Sequence, residues 1–100
     1  MPAYLIVNYN VEDPEKYAEY SAAAGPVMKI GEACQILAFD PATTRLEGET
    51  SGHQTIVLSF ESMEKAKEMY ESGDYQAIIP TRHAATSNHF AVLVLSLIHI

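Results

Sequence analysis

One hundred residues, 48% of them apolar, bound a single globular domain over residues 1–100 and exclude a disordered chain. Six Lys and Arg against thirteen Asp and Glu leave a net charge of −7. That balance argues against nucleic acid as a partner, because phosphate binding rests on clustered cations, and against an anionic membrane surface.

The segment AYLIVNYNV (Ala3 to Val11) is β-branched and aromatic with no helical stripe, and reads as a strand. Period two puts Leu5, Val7 and Tyr9 on one face and Tyr4, Ile6, Asn8 and Asn10 on the other. Asp13-Pro14-Glu15 is a helix start: Asp caps the free N–H groups, Pro fits the first helical position and Glu suits the dipole. Tyr17, Tyr20, Ala24, Val27 and Met28 then recur at helical spacing. Gly25-Pro26 predicts a kink or a break with restart, and Gly31 the C-terminal stop.

CQILAF (Cys34 to Phe39) is the second strand. After the turn at Asp40-Pro41 a short strand is expected around Thr44 to Glu47. QTIVLSF (Gln54 to Phe60) is the third main strand, with Ile56, Leu58 and Phe60 opposite Thr55, Val57 and Ser59. Ser62 is placed to cap a helix through about Ser72, with Met63, Ala66, Met69 and Tyr70 as its apolar stripe. Gly73 ends it, Asp74 caps a further short helical stretch, and Pro80 breaks or restarts that stretch. NHFAVLVLSLI (Asn88 to Ile98) is the last strand.

The order strand, helix, strand, strand, helix, strand is the split βαβ arrangement of ferredoxin-like α+β domains, with two helices on one face of an antiparallel sheet. Leu5, Val7, Ile56, Leu58, Phe60 and the Leu93/Leu95 set form the helix-facing core. The other face, with Tyr4, Ile6, Asn8, Thr55, Val57, Ser59, Val92 and Val94, is too apolar for water and too polar for a dry core. A homodimer joined sheet to sheet resolves both difficulties.

The lone cysteine, Cys34, cannot form an internal disulfide and reads as a buried strand thiol. The opening MPAYLIVNYN lacks the basic and apolar regions of a signal peptide. The closing FAVLVLSLIHI falls short of the roughly 20 residues of a spanning helix. A cytoplasmic location is the expectation.

Only two arginines occur, and one of them, Arg82, stands beside His83 in the mostly apolar segment DYQAIIPTRHAAT. Arg can fix a carboxylate by paired hydrogen bonds, and His moves a proton near neutral pH. The structural alternative pairs Arg82 with an acidic neighbour, which anchors the segment to the body of the domain. Tyr4, Asn8, Ser59 and Tyr75 are the candidate substrate-binding residues; Tyr17 and Tyr20 read as core tyrosines with satisfied hydroxyls. His53, His89 and His99 lack the spacing of a ligand set, so no metal is expected. Without a Gly-rich phosphate loop, dinucleotide fingerprint or Ser/His/Asp constellation, no cofactor is expected either.

Three segments in order, MPAYLIVNYNVEDPEKYAEY, VLSFESMEKAKEMYES and DYQAIIPTRHAAT, resemble the DUF1330 family over roughly Met1 to Leu95. The residues matching its pattern are Tyr17, Tyr20, Tyr75, Gln76, Arg82 and Thr86; Gly31-Glu32 stands where members often carry Gly-Gly, and SLIHI runs past the usual end. The family is similar to the dimeric α+β barrels, among them antibiotic-biosynthesis monooxygenases, muconolactone isomerases and chlorite-dismutase-like proteins. The resemblance implies the ferredoxin-like fold and the sheet-to-sheet dimer, and no set of catalytic residues. Three functions stay open: a cofactor-free monooxygenase- or isomerase-like enzyme on a small organic substrate, a ligand-binding or regulatory module, and a purely structural dimer.

Overall fold

A computed structural model describes residues 2–97. Seven elements follow in the order β1 (Ala3–Val11), α1 (Pro14–Met28), β2 (Cys34–Asp40), β3 (Gln54–Phe60), α2 (Met63–Glu71), α3 (Gly73–Ala85) and β4 (Thr86–Leu95). The strands form one antiparallel sheet in the order β2-β3-β1-β4. This is the ferredoxin-like α+β fold, with the second helical region divided into α2 and α3.

The register bears out the division into two faces. Leu5 lies opposite Leu58 and Leu93, and Val7 opposite Ile56 and Ala91. Tyr4 lies opposite Ser59 and Val94, and Ile6 opposite Val57 and Val92. The helices cover the first set, where Leu5, Val7, Tyr9, Leu58 and Phe60 are buried with Tyr20, Ala24 and Met28 of α1. Leu95 departs from the expected core: it sits at the end of an outer strand and is 55% exposed.

Asp13 caps α1 by accepting a hydrogen bond from the Lys16 N–H at 3.2 Å. The helix then runs through Gly25-Pro26 to Met28 without the expected break. Pro26 removes one N–H bond in the last turn, and the Pro26 and Gly25 carbonyls still accept bonds that close the end. The stop is Lys29, in the left-handed region at φ 55°, and not Gly31. Its N–H and that of Ile30 take the carbonyls of Pro26 and Gly25, closing the helix. The Cys34 thiol is buried under this end and donates to the Met28 carbonyl at 3.4 Å; burial raises its pKa.

No strand forms over residues 44–47. The segment turns back on itself: Thr43 N–H meets the His53 carbonyl at 2.8 Å, and the Arg45 guanidinium holds the Ser51 hydroxyl and carbonyl. Its far end, Gly52, packs directly on the Tyr9 backbone, so closely that any Cβ would overlap it.

Ser72 serves both neighbouring helices. Its hydroxyl donates to Met69 of α2 at 2.7 Å and accepts from the Tyr75 N–H of α3 at 3.2 Å. Ser72 is therefore the cap expected of Asp74. Pro80 lies inside α3 and does not divide it. Tyr75, Ile79, Arg82 and Ala85 recur at helical spacing and are all buried, so packing holds the helix across the proline. The last strand starts at Thr86 and not at Asn88; of its expected end, Ile98 lies outside the described residues.

Candidate functional site

A cavity of about 220 Å³ lies between the sheet and α1. Leu5, Val7, Ile56 and Leu58 of the sheet form one wall; Ala24, Gly25 and Met28 of α1 form another. Ile36 and Phe39 of β2 complete the lining. They point to the helix face but stay about half exposed, because the helices do not extend over β2. That uncovered strand is the mouth. Tyr9, Tyr17, Tyr20 and Tyr75 make the polar end.

Three elements bring these tyrosines together. Tyr9 ends the inward row of β1, Tyr17 and Tyr20 lie one turn apart on α1, and Tyr75 opens the buried stripe of α3. Their rings form a chain with centroids 5.7 Å apart for Tyr9–Tyr17, 5.8 Å for Tyr17–Tyr20 and 6.5 Å for Tyr20–Tyr75. Their hydroxyls join in two pairs, Tyr9 to Tyr17 and Tyr20 to Tyr75, each at 2.7 Å. Gln54 Nε2 donates to the Tyr17 hydroxyl at 2.8 Å.

Behind them lies Arg82, two turns beyond Tyr75 and only 3% exposed. Its Nη1 donates to the Tyr75 hydroxyl at 3.0 Å, and its guanidinium carbon lies 5.7 Å from the Tyr20 ring and 5.9 Å from the Tyr9 ring. Its Nε has no hydrogen-bond partner among the described residues. The expected acidic neighbour is not there: among the described residues no carboxylate pairs with Arg82, and aromatic faces and hydroxyls surround the charge instead. Burial opposes that charge, yet Tyr75 and Tyr20 outweigh it, and the pKa of Arg82 stands above its ordinary value. Burial likewise raises the pKa values of Tyr9, Tyr20 and Tyr75, so all three are protonated donors at neutral pH.

Of the residues singled out from the sequence, the structure brings together Arg82 and Tyr75. His83 points outward, with its ring stacked on His89 at 4.2 Å and 7° and its Nε2 3.4 Å from Arg82 Nη2. Tyr4, Asn8 and Ser59 sit on the open face, so the sheet separates them from Arg82. Tyr4 bonds to the Ser96 hydroxyl at 3.0 Å. Asn8 is buried against the turn, donating to the Gly52 carbonyl and the Thr55 hydroxyl and accepting from the Gly52 N–H. The cavity residues that sequence reasoning passed over are Tyr9, Tyr17 and Tyr20. A signal existed: three tyrosines within twelve residues, two of them one helical turn apart. Among the described residues, no three His, Cys, Asp or Glu side chains cluster as metal ligands, and no helix is long and apolar enough to cross a membrane.

The chain belongs to the family described as a domain of unknown function, DUF1330, which it matches over residues 2–95. No functionally curated protein matches it in sequence. Among solved structures it is similar to a protein of unknown function from Rhodopseudomonas palustris, with a TM-score of 0.77 and 17% identity, covering 98% of this chain and 84% of that one. It is also similar to a dimeric ferredoxin-like protein of unknown function from Thermobifida fusca, with a TM-score of 0.64 and 16% identity over 94% of this chain and 90% of that one. A mutant of a cofactor-independent oxygenase from Streptomyces nogalater shares the fold at a TM-score of 0.65 and 6% identity, over 99% and 96% of the two chains. At these identities the likeness establishes the fold alone.

Proposed function

We propose that this DUF1330 chain is a cytoplasmic homodimer that binds a small organic molecule in the tyrosine-ended cavity, and that any chemistry there proceeds without a cofactor. The observation that carries the reading is the combination of an apolar cavity with a single polar end backed by a buried, carboxylate-free arginine. Burying a cation is costly, and an ordinary core has no need of one. A binding site does, because a few placed polar groups fix the orientation of a mostly apolar ligand. The cavity is below the roughly 300–1,000 Å³ of drug-sized pockets, so the ligand is small.

The dimer reading rests on the open face. Val92, Val94 and Phe90 of β4 remain 38–47% exposed in the single chain, beside Ile6 and Val57. A second copy seated on this face removes that patch from water. The Thermobifida fusca structure is described as dimeric, which supports the reading. Tyr4, Asn8 and Ser59 then belong to the interface, Arg82 and Tyr75 to the ligand site, and His83 to the surface beside it. The oxygenase with this fold supports the cofactor-free enzyme. A second reading, ligand binding without reaction, is favoured by the residues lining the cavity, which include no histidine and no carboxylate.

Native mass spectrometry of the purified protein, before and after incubation with a cell metabolite extract, tests this. The expected result is a dimer that carries a discrete small mass, with that mass lost in Ala24→Leu, whose larger side chain fills the cavity. A bare dimer in both samples removes the ligand from the proposal, and a monomer removes the interface.

A further inference from the structure

The hydrogen-bond directions at the polar end of the cavity define the ligand's chemistry. Arginine only donates, so the Tyr75 oxygen accepts from Arg82 Nη1. Tyr75 is 1% exposed, and among the described residues its proton has one acceptor within reach, the Tyr20 oxygen at 2.7 Å. Tyr75 therefore donates to Tyr20. The Tyr20 oxygen is the acceptor of that bond, and its own proton has no acceptor among the described residues. Tyr20 lines the cavity. The chain of bonds runs one way, from a cation through two hydroxyls to a free donor, and each bond polarises the next.

The Arg82 charge has the same orientation. It is buried behind the rings of Tyr20 and Tyr9, both of which line the cavity, and among the described residues no carboxylate balances it. A negative charge at the Tyr20 hydroxyl would meet a donor strengthened by the guanidinium and would supply the missing counter-charge. A ligand cation at the same place would meet repulsion from the guanidinium.

We infer that the cavity takes its ligand by an oxyanion, a carboxylate, phenolate or enolate oxygen on a small apolar body, and that the Tyr20 hydroxyl receives it. Tyr75 and Arg82 act as positioning residues through Tyr20. The inference deepens the proposed function and rests on it. For an enzyme of this architecture, the same donor would stabilise an enolate or phenolate formed from the substrate.

The probes are para-nitrophenol, whose absorption reports its ionisation, and neutral benzyl alcohol of similar size. The expected result is that the protein binds para-nitrophenol as the anion, with the bound dye ionising at lower pH than the free dye by about one unit or more, the tenfold preference usual for one hydrogen bond to a charged group. Tyr20→Phe and Tyr75→Phe should each move the bound dye back toward its free ionisation, and should weaken the anion by a larger factor than they weaken benzyl alcohol. Should Tyr20→Phe not fold, Tyr75→Phe carries the test alone. Dye bound as the neutral phenol, or an anion preference untouched by the variants, overturns the oxyanion site while benzyl alcohol binding leaves the small-molecule reading standing. Binding of neither probe overturns both.

Discussion

On the open face of the sheet, Asn8 directs its amide to Gly52 and Thr55, and Tyr4 bonds to Ser96. On the helix face, Tyr20 accepts from Tyr75 and keeps a donor free toward a cavity. Both faces carry polar side chains, yet they do different work. The open-face groups satisfy one another and pin the 41–53 turn to β1. The helix-face groups pass the influence of a buried cation to a point where protein ends. Polar residues on a face thus reveal little until their partners are counted. A satisfied set is architecture, and a set with a directed remainder is a candidate site.

The sharpest way to break the comparison is to spoil the open face alone. Val92→Asp puts a carboxylate at the centre of the proposed interface, twice per dimer because the contact is symmetric. Each uncompensated buried charge costs several kcal/mol. Size-exclusion chromatography should show a monomer, with its circular dichroism unchanged because Val92 is 45% exposed in the single chain. A dimer of undiminished affinity would mean that the two copies meet elsewhere.

Gly52→Ala comes next. A methyl group here would overlap the Tyr9 backbone, so either the turn lifts or β1 bends. Overpacking against backbone costs roughly 3 kcal/mol, which in a domain of this size lowers Tm by more than about 10 °C. A thermal melt matching the parent protein would show that the turn is free to move aside.

A matched pair then sets the faces against each other. Asn8→Ala leaves the Gly52 N–H and carbonyl unpaired beneath the turn and should cost about 2 kcal/mol in urea unfolding, with ligand affinity unchanged. Tyr75→Phe leaves the buried Arg82 Nη1 without its acceptor and should also cost about 2 kcal/mol, while weakening an anionic ligand about tenfold. If Asn8→Ala is the variant that loses the ligand, the assignment of the two faces is reversed.

The architecture was open to sequence reading because strands and helices announce themselves through repeated positions. Leu5, Val7 and Tyr9 alternate, Asp13-Pro14 starts a helix, and the four strands begin or end close to where pattern puts them. Misreadings came where a local rule met tertiary packing. Pro80 marked a break, but Tyr75, Ile79, Arg82 and Ala85 bury one continuous stripe and hold α3 together. Thr44 to Glu47 had strand chemistry but pairs with no strand, since Arg45 folds the turn onto Ser51. Arg82 was legible as an oddity, a rare cation in an apolar run. Its surroundings were not, because Tyr9, Tyr20 and Tyr75 come from three elements and meet only when the chain folds. Sequence distance hid this grouping.

The smallest expected effect lies just outside the cavity, at the stacked pair His83 and His89. Partial burial holds the His83 pKa below its ordinary value, and the nearby His89 and Arg82 charges push the same way. A lowered value in the folded protein means that the fold prefers the neutral ring. The contribution is therefore complete above the unfolded value of about 6.5 and fades as pH falls through the folded value. His89→Asn removes one of the repelling partners, so the His83 ring should titrate closer to the ordinary value, seen directly in the pH dependence of its NMR signals. Stability below pH ~6 should rise slightly in the same variant. A His83 titration that does not move would mean that stacking, not charge, governs the pair, and that the positive field of Arg82 is confined to the tyrosine side.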